Sequence, residues 1–293
     1  MSIPPVERCL EKFSVNFQND IEYLLRGDVM KQTLLGIREH AACLSYLIGD
    51  IEGQTKDRLK WNQISEWLDI ASGIKKVSMN SAIFKCNEMC SQAWEYDFER
   101  DSLLSKIVTQ ITIFNFVWGA LESLIDYVSP KDVPTNRGKV NAICDYLNEN
   151  YKVNKPIVLY NDVLAELLVN VKKVYHYSEL EEKFKLKSFV NLSGVGLQVV
   201  YKIRNKFSHG SLCFSEPEEW NLSKPVDDKI VNLATRIVLL SIQMVLITLF
   251  YEESIMIQPY EWGDEEVDLL EYLNILHLEV VDSNDDNQLS LFN

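Results

Sequence analysis

The last 42 residues of this 293-residue chain contain no lysine or arginine: residues 252–293 carry 12 acidic side chains and not one base. Proline (8), glycine (11) and histidine (4) are scarce throughout. So little proline and glycine excludes collagen-like and low-complexity architectures. No glycine-rich loop is present to cradle phosphates: the P-loop and the dinucleotide-binding fingerprint are both absent, as are HExxH and GxSxG. Nucleotide hydrolysis, zinc-hydrolase and serine-hydrolase chemistry therefore have no support. The six cysteines read as thiols of a reducing compartment, and Cys86 and Cys90, four apart, lack two further ligands near by. No metal and no cofactor is expected. The longest uncharged apolar run, residues 237–251, is shorter than the roughly 20 residues that span a bilayer and holds Ser241 and Gln243. It is expected to be a buried core helix. Glu7, Arg8, Glu11, Lys12 and Asp20 interrupt the first 26 residues, so no secretory leader is expected there, and the location expected is cytoplasmic with no membrane partner.

What is present is a globular composition, 47% hydrophobic and 25% charged. The net charge of −14 speaks at first against a nucleic-acid ligand, which wants a basic footprint. Setting aside residues 252–293 leaves 31 acids against 29 bases, close to neutrality. Within that remainder, residues 183–213 hold Lys183, Lys185, Lys187, Lys202, Arg204 and Lys206 and no acid. Acidity belongs to the C-terminal stretch, and the interior has a place for an anion.

Apolar residues recur at a helical period nearly everywhere, and no alternating run of strand length stands out. The fold class expected is all-α: a helical bundle at 101–252, an N-terminal helical extension at 1–100, an acidic segment at 253–282 and a flexible tail at 283–293. Helices are expected over residues 6–25, 29–49, 62–72, 80–99, 101–127, 138–150, 161–176, 192–208 and 227–252, with a short one over 265–276. Those beginning near 107 and 230 are apolar around most of their circumference and should form the bundle's centre.

The basic window closes in Tyr201-Lys202-Ile203-Arg204-Asn205-Lys206-Phe207-Ser208-His209-Gly210. Val195, Val199, Ile203 and Phe207 form a core stripe, and Gly210 suits the left-handed residue that ends a helix. His209 then stands beside the last carbonyls, whose partial negative charge favours imidazolium. A guanidinium binds phosphate oxygens bidentately and stays charged, while an imidazole moves protons near neutrality. Five residues of ideal helix set the two side chains about 140° apart. Convergence on one phosphate therefore needs the helix to end at His209, or a second copy of the motif.

RNKFSHG resembles the Arg-x4–6-His motif of the HEPN superfamily, most closely its ApeA-like branch, and FNFVWGALESLIDYV resembles the helix that precedes it there. The resemblance covers residues 101–251, about half the chain. It implies a helical bundle that forms a homodimer, and a metal-independent endoribonuclease of toxin, abortive-infection or antiphage systems. In such enzymes two motifs form a composite cleft, and the 2′-hydroxyl attacks its own phosphate. By that resemblance Arg204 holds the phosphate, His209 is the acid/base and Asn205 supports the site. Lys202, Lys206, Lys183, Lys185 and Lys187 are expected to bind the RNA backbone. Glu122 or Asp126, one turn apart, is expected to orient Arg204, although Glu122 could equally satisfy a buried polar neighbour. Relatives controlled by tyrosine modification carry Tyr two residues after the histidine; Ser211 stands here, which argues against that control. His40, His176 and His277 have no shared ligand spacing. Lys172, Lys173, Tyr175, His176 and Tyr177 interleave bases with aromatics, as single-strand surfaces and solvated helix faces both do.

The chain ends in Gln288, Leu289, Ser290, Leu291, Phe292 and Asn293. The first five resemble the QL[SD]LF peptide by which bacterial replication proteins dock on the DNA polymerase sliding clamp. Leu291 and Phe292 would fill an apolar pocket while Gln288 makes oriented hydrogen bonds. A noncatalytic HEPN adapter, binding RNA or protein and tethered to the clamp, is the alternative. In either case the acidic stretch 252–293 could cover the basic window as a phosphate mimic.

Overall fold

The computed structural model describes residues 33–54, 58–84, 90–130, 138–153, 156–173, 192–208, 214, 217, 227–259 and 266–279. Eight α-helices occur among them: α1 (Ile37–Gln54), α2 (Arg58–Gly73), α3 (Ser91–Val128), α4 (Lys139–Asn150), α5 (Tyr160–Lys173), α6 (Leu192–Ser208), α7 (Asp227–Leu249) and α8 (Leu269–Ile275). The one sheet among the described residues pairs β1 (Met256–Ile257) antiparallel with β2 (Val267–Asp268), Met256 facing Asp268. The all-α expectation holds. The helix expected over 6–25 lies outside the described residues.

Helix α7 is the centre, packed on α1, α3, α4, α5, α6 and α8. Its composition explains how it can be buried on all sides. Its apolar residues from Ile230 to Ile247 are nearly all sequestered, and its hydroxyls close on their own helix: Thr235 donates to Val231 O at 2.8 Å, Ser241 to Ile237 O at 2.7 Å and Thr248 to Met244 O at 2.7 Å. Such i−4 bonds let a polar residue enter a core without an unmet donor. Gln243 cannot do this. It lies 2.6 Å from His40 Nε2 on α1 and donates to Leu273 O on α8 at 2.7 Å, joining three helices through one amide. Helices α3 and α7 are both long and apolar enough to cross a bilayer by length and composition, but the apolar window of α7 is 89% buried against its neighbours and that of α3 44%, so α3, expected to share the bundle's centre, is packed on fewer sides than α7.

The sequence pattern places a break at residue 100, between two helices. The structure has one helix of 38 residues there, roughly 57 Å at the usual rise. Asp101, which looks like a helix start, is instead an acceptor in mid-helix. Backbone amides of Val77, Met79 and Ser81 donate to Thr109 Oγ1 (2.9 Å), Ser105 Oγ (2.8 Å) and Asp101 Oδ2 (2.6 Å). Two residues of extended chain advance about 6.6 Å and four of helix about 6 Å, so the two repeats stay in step. The helix expected over 80–99 is therefore replaced by this extended run, a short 3-10 turn (Ser81–Phe84) and the first turns of α3. Ser129 ends α3 in the left-handed region (φ 47°) just before Pro130, its amide bonded to Ile125 O at 2.8 Å.

Helices α1 and α2 cross at small residues: Ser45 Oγ donates to Ser65 O (2.9 Å) and Ser65 Oγ to Ser45 O (3.1 Å). Around that crossing Leu44, Ile48, Trp61, Ile64 and Leu68 are fully buried. Gly36–Leu276 form one compact unit. The described residues 33–35 and 277–279 belong to a second unit. There Leu34 and Leu278 make an antiparallel bridge, and Leu35 N and Glu279 N donate to His277 O (3.0 Å) and Thr33 O (2.9 Å).

Candidate functional site

Helix α6 changes character along its length. Residues 193–200 are buried and uncharged, because the sequence there is SGVGLQVV. Tyr201 then opens to solvent, Ile203 turns inward, and Lys202, Arg204 and Asn205 are half-buried. The expected bounds of 192–208 match those observed, and Val195, Val199 and Ile203 of the expected stripe are core. The helix therefore emerges from the bundle at its C-terminal end, where cations oppose the partial negative charge of the last carbonyls.

The buried end is held by Tyr160, the first residue of α5. Its hydroxyl donates to Ser193 O at 3.1 Å and accepts from Gly196 N at 3.0 Å. Gly196 allows the close approach: a Cβ there would stand 2.7 Å from Ile237 Cγ2 of α7 and nearer still to the Tyr160 hydroxyl. Burial drives the Tyr160 pKa well above the usual phenol value, so the hydroxyl keeps its proton. Further along, Gln198 Nε2 donates to Asn141 Oδ1 of α4 at 2.7 Å. The emerging end thus projects from a fixed base.

On that end, the Arg204 guanidinium carbon lies over the indole of Trp118, 5.7 Å from the ring centroid. Trp118 belongs to α3 and is only 4% exposed. Its Nε1 donates to Glu122 Oε1, one turn further along α3, at 2.7 Å. Phe114, one turn before, flanks it with ring centroids 5.9 Å apart. A guanidinium on a ring face within about 6 Å is a cation–π contact, typically about 0.5–2 kcal/mol. Glu122 thus bonds the polar neighbour that itself carries Arg204. Asp126 does something else: its carboxylate meets Lys139 Nζ of α4 at 2.7 Å, with both side chains more than half exposed.

Of the residues singled out in sequence, the structure brings together Arg204 and Glu122 through Trp118, with Lys202 and Asn205 on the same emerging segment. Lys206 is in the last turn of α6. His209, Lys183, Lys185, Lys187, Gln288, Leu289, Ser290, Leu291 and Phe292 lie outside the described residues. Trp118 is not among the residues that the sequence singles out; its signal is the Trp-x3-Glu spacing on one helix, four residues being one face. Among the described residues no cluster of three His, Cys, Asp or Glu side chains is placed to hold a metal. Cys43, Cys90 and Cys144 are in the thiol form, and His40 is packed in the core. No family model, no curated protein and no solved structure matches this chain.

Proposed function

We propose that the chain is a metal-independent HEPN-type endoribonuclease, active as a homodimer in the cytoplasm within a toxin, abortive-infection or antiphage system. Residues 288–292 would dock it on the replication sliding clamp. The observation that carries the reading is the seating of Arg204: an always-charged guanidinium, held on an aromatic face, on the solvent-reaching end of a rigid helix. The surrounding residues 183–213 contain no acid, and His209 follows directly on that helix. The window itself supplies no carboxylate to compete with phosphate for the positive charge.

In the proposed reaction Arg204 binds the nonbridging oxygens of a scissile phosphate. The ribose 2′-oxygen attacks phosphorus, its proton passing to a His209 imidazole. The bond to the 5′-oxygen breaks, and that oxygen takes a proton from imidazolium. A 2′,3′-cyclic phosphate and a 5′-hydroxyl result. Two motifs on a two-fold axis supply the base and the acid that one helix, with Arg and His about 140° apart, focuses poorly.

The test is cleavage of single-stranded RNA by the purified protein in EDTA. Expected are cyclic-phosphate ends, and loss of cleavage in both Arg204→Ala and His209→Ala. Cleavage that appears only with added divalent metal, or that persists in both variants, overturns the proposal. A wild-type protein that binds RNA and the clamp without cutting is the adapter alternative.

A further inference from the structure

The geometry points to Trp118 as a positioning residue for Arg204, one that fixes the guanidinium in the orientation that receives an RNA phosphate. This inference rests on the proposed endoribonuclease reading. A free arginine side chain samples many rotamers that it loses when it is fixed in place. Ordering it only when ligand arrives would weaken binding. Here the order precedes the ligand. Trp118 is 4% exposed, its ring is flanked by Phe114 at 5.9 Å, and its Nε1 is tied to Glu122 at 2.7 Å. The indole therefore has one orientation, and its face stands 5.7 Å from the Arg204 guanidinium carbon. The guanidinium so placed carries the N–H donors that bind phosphate oxygens in pairs. Glu122 acts one step further back, through the indole N–H. Gly119, next in sequence, keeps this stretch of α3 close to α2: a Cβ there would lie 2.8 Å from Trp67 Cε3. The site's geometry is thus built into the α2–α3 packing.

A double-mutant cycle on RNA binding tests the inference, run in a His209→Ala background so that scission does not interfere. Anisotropy of a fluorescein-labelled single-stranded RNA is measured with the background protein and with Trp118→Leu, Trp118→Phe, Arg204→Ala and Trp118→Leu/Arg204→Ala added to it. Trp118→Leu is expected to weaken binding between about twofold and about tenfold, the range that ordering one rotamer-rich side chain only on binding corresponds to. Trp118→Phe keeps an aromatic face and should recover most of that loss. The double variant should bind no more weakly than Arg204→Ala alone, because Trp118 acts only through the arginine. Additive losses overturn the inference and leave the ribonuclease reading standing. Binding unaffected by Arg204→Ala overturns that reading, and this inference with it. Should Trp118→Leu not fold, the Arg204 Nε–H resonance decides, assigned by its disappearance in Arg204→Ala. Ring current from Trp118 shifts it upfield, and an unshifted resonance overturns the inference.

Discussion

The Tyr160 hydroxyl and the Gly196 amide meet at 3.0 Å, binding the first residue of α5 to the first turns of the helix that carries Arg204. Because the same hydroxyl donates to Ser193 O, it joins an amide and a carbonyl of one helix end through a single buried group. Tyr160→Phe removes both bonds. The expected cost is about 1–3 kcal/mol, read from urea unfolding at pH 7.

The same residue sets a pH dependence. Burial raises the Tyr160 pKa above its ordinary value and pushes the Tyr151 phenol up to about 12. The folded protein then keeps protons that the unfolded chain releases from about pH 10 upward. Stability is complete below that point and falls as pH rises through it. Unfolding free energy measured from pH 8 to 11 should decline in the wild type and decline less steeply in Tyr160→Phe. Equal slopes would show that Tyr160 ionises freely in the fold.

His40 on α1 and Gln243 on the central helix share a 2.6 Å contact in the core. His40→Leu removes one partner and leaves a buried amide oxygen without it. A loss of about 2 kcal/mol is expected, seen as a fall of several degrees in Tm by calorimetry. A Tm unchanged within error would mean that Gln243 finds another partner at no cost.

Two glycines in helices should respond with opposite signs. At Gly119 a Cβ would press on the Trp67 ring at 2.8 Å, while at Gly49 in α1 nothing lies within 4 Å. Gly49→Ala gains helix propensity and should stabilise by about 0.5–1 kcal/mol. Gly119→Ala gains the same propensity but forces α2 away from α3, and should destabilise by about 1–3 kcal/mol. Paired thermal melts separate the two.

Arg204→Lys keeps the charge and loses both the planar fork and the stacking face. RNA cleavage should fall about tenfold or more, with Tm shifted by no more than a degree or two. Wild-type cleavage rates in this variant would mean that only net charge matters at residue 204.

Leu291→Ala and Phe292→Ala should each weaken capture of a purified sliding clamp by about thirtyfold, the loss typical of a peptide anchor removed from its pocket. RNA cleavage in the absence of clamp should be unaffected. Capture that survives both changes would remove the clamp from the proposal.

Much of the fold was legible because the helical period of apolar residues is strong. Residues 192–208 match their expected bounds, and the apolar girth of residues 230–251 points to a helix packed on most of its circumference. The break at residue 100 was misplaced because Asp101 is the right residue for a helix start and equally the right acceptor for a neighbouring amide. Only the run of Val77, Met79 and Ser81 alongside α3 shows which role it takes. The antiparallel bridge between Leu34 and Leu278 was equally hidden, since no local pattern pairs residues at opposite ends of a chain.

The sequence by itself determined the all-α class, the central helix and the acid-free basic window with its Arg204 and Asn205. These follow from periodicity and charge, which are properties of neighbours along the chain. Tertiary structure alone decided what Arg204 rests on. Trp118 and Arg204 are 86 positions apart, and their contact exists because α3 and α6 both pack on α7. It decided also that Glu122 serves the Trp118 indole while Asp126 turns to Lys139. Two carboxylates one turn apart are alike in sequence, and only the surface each faces makes them different.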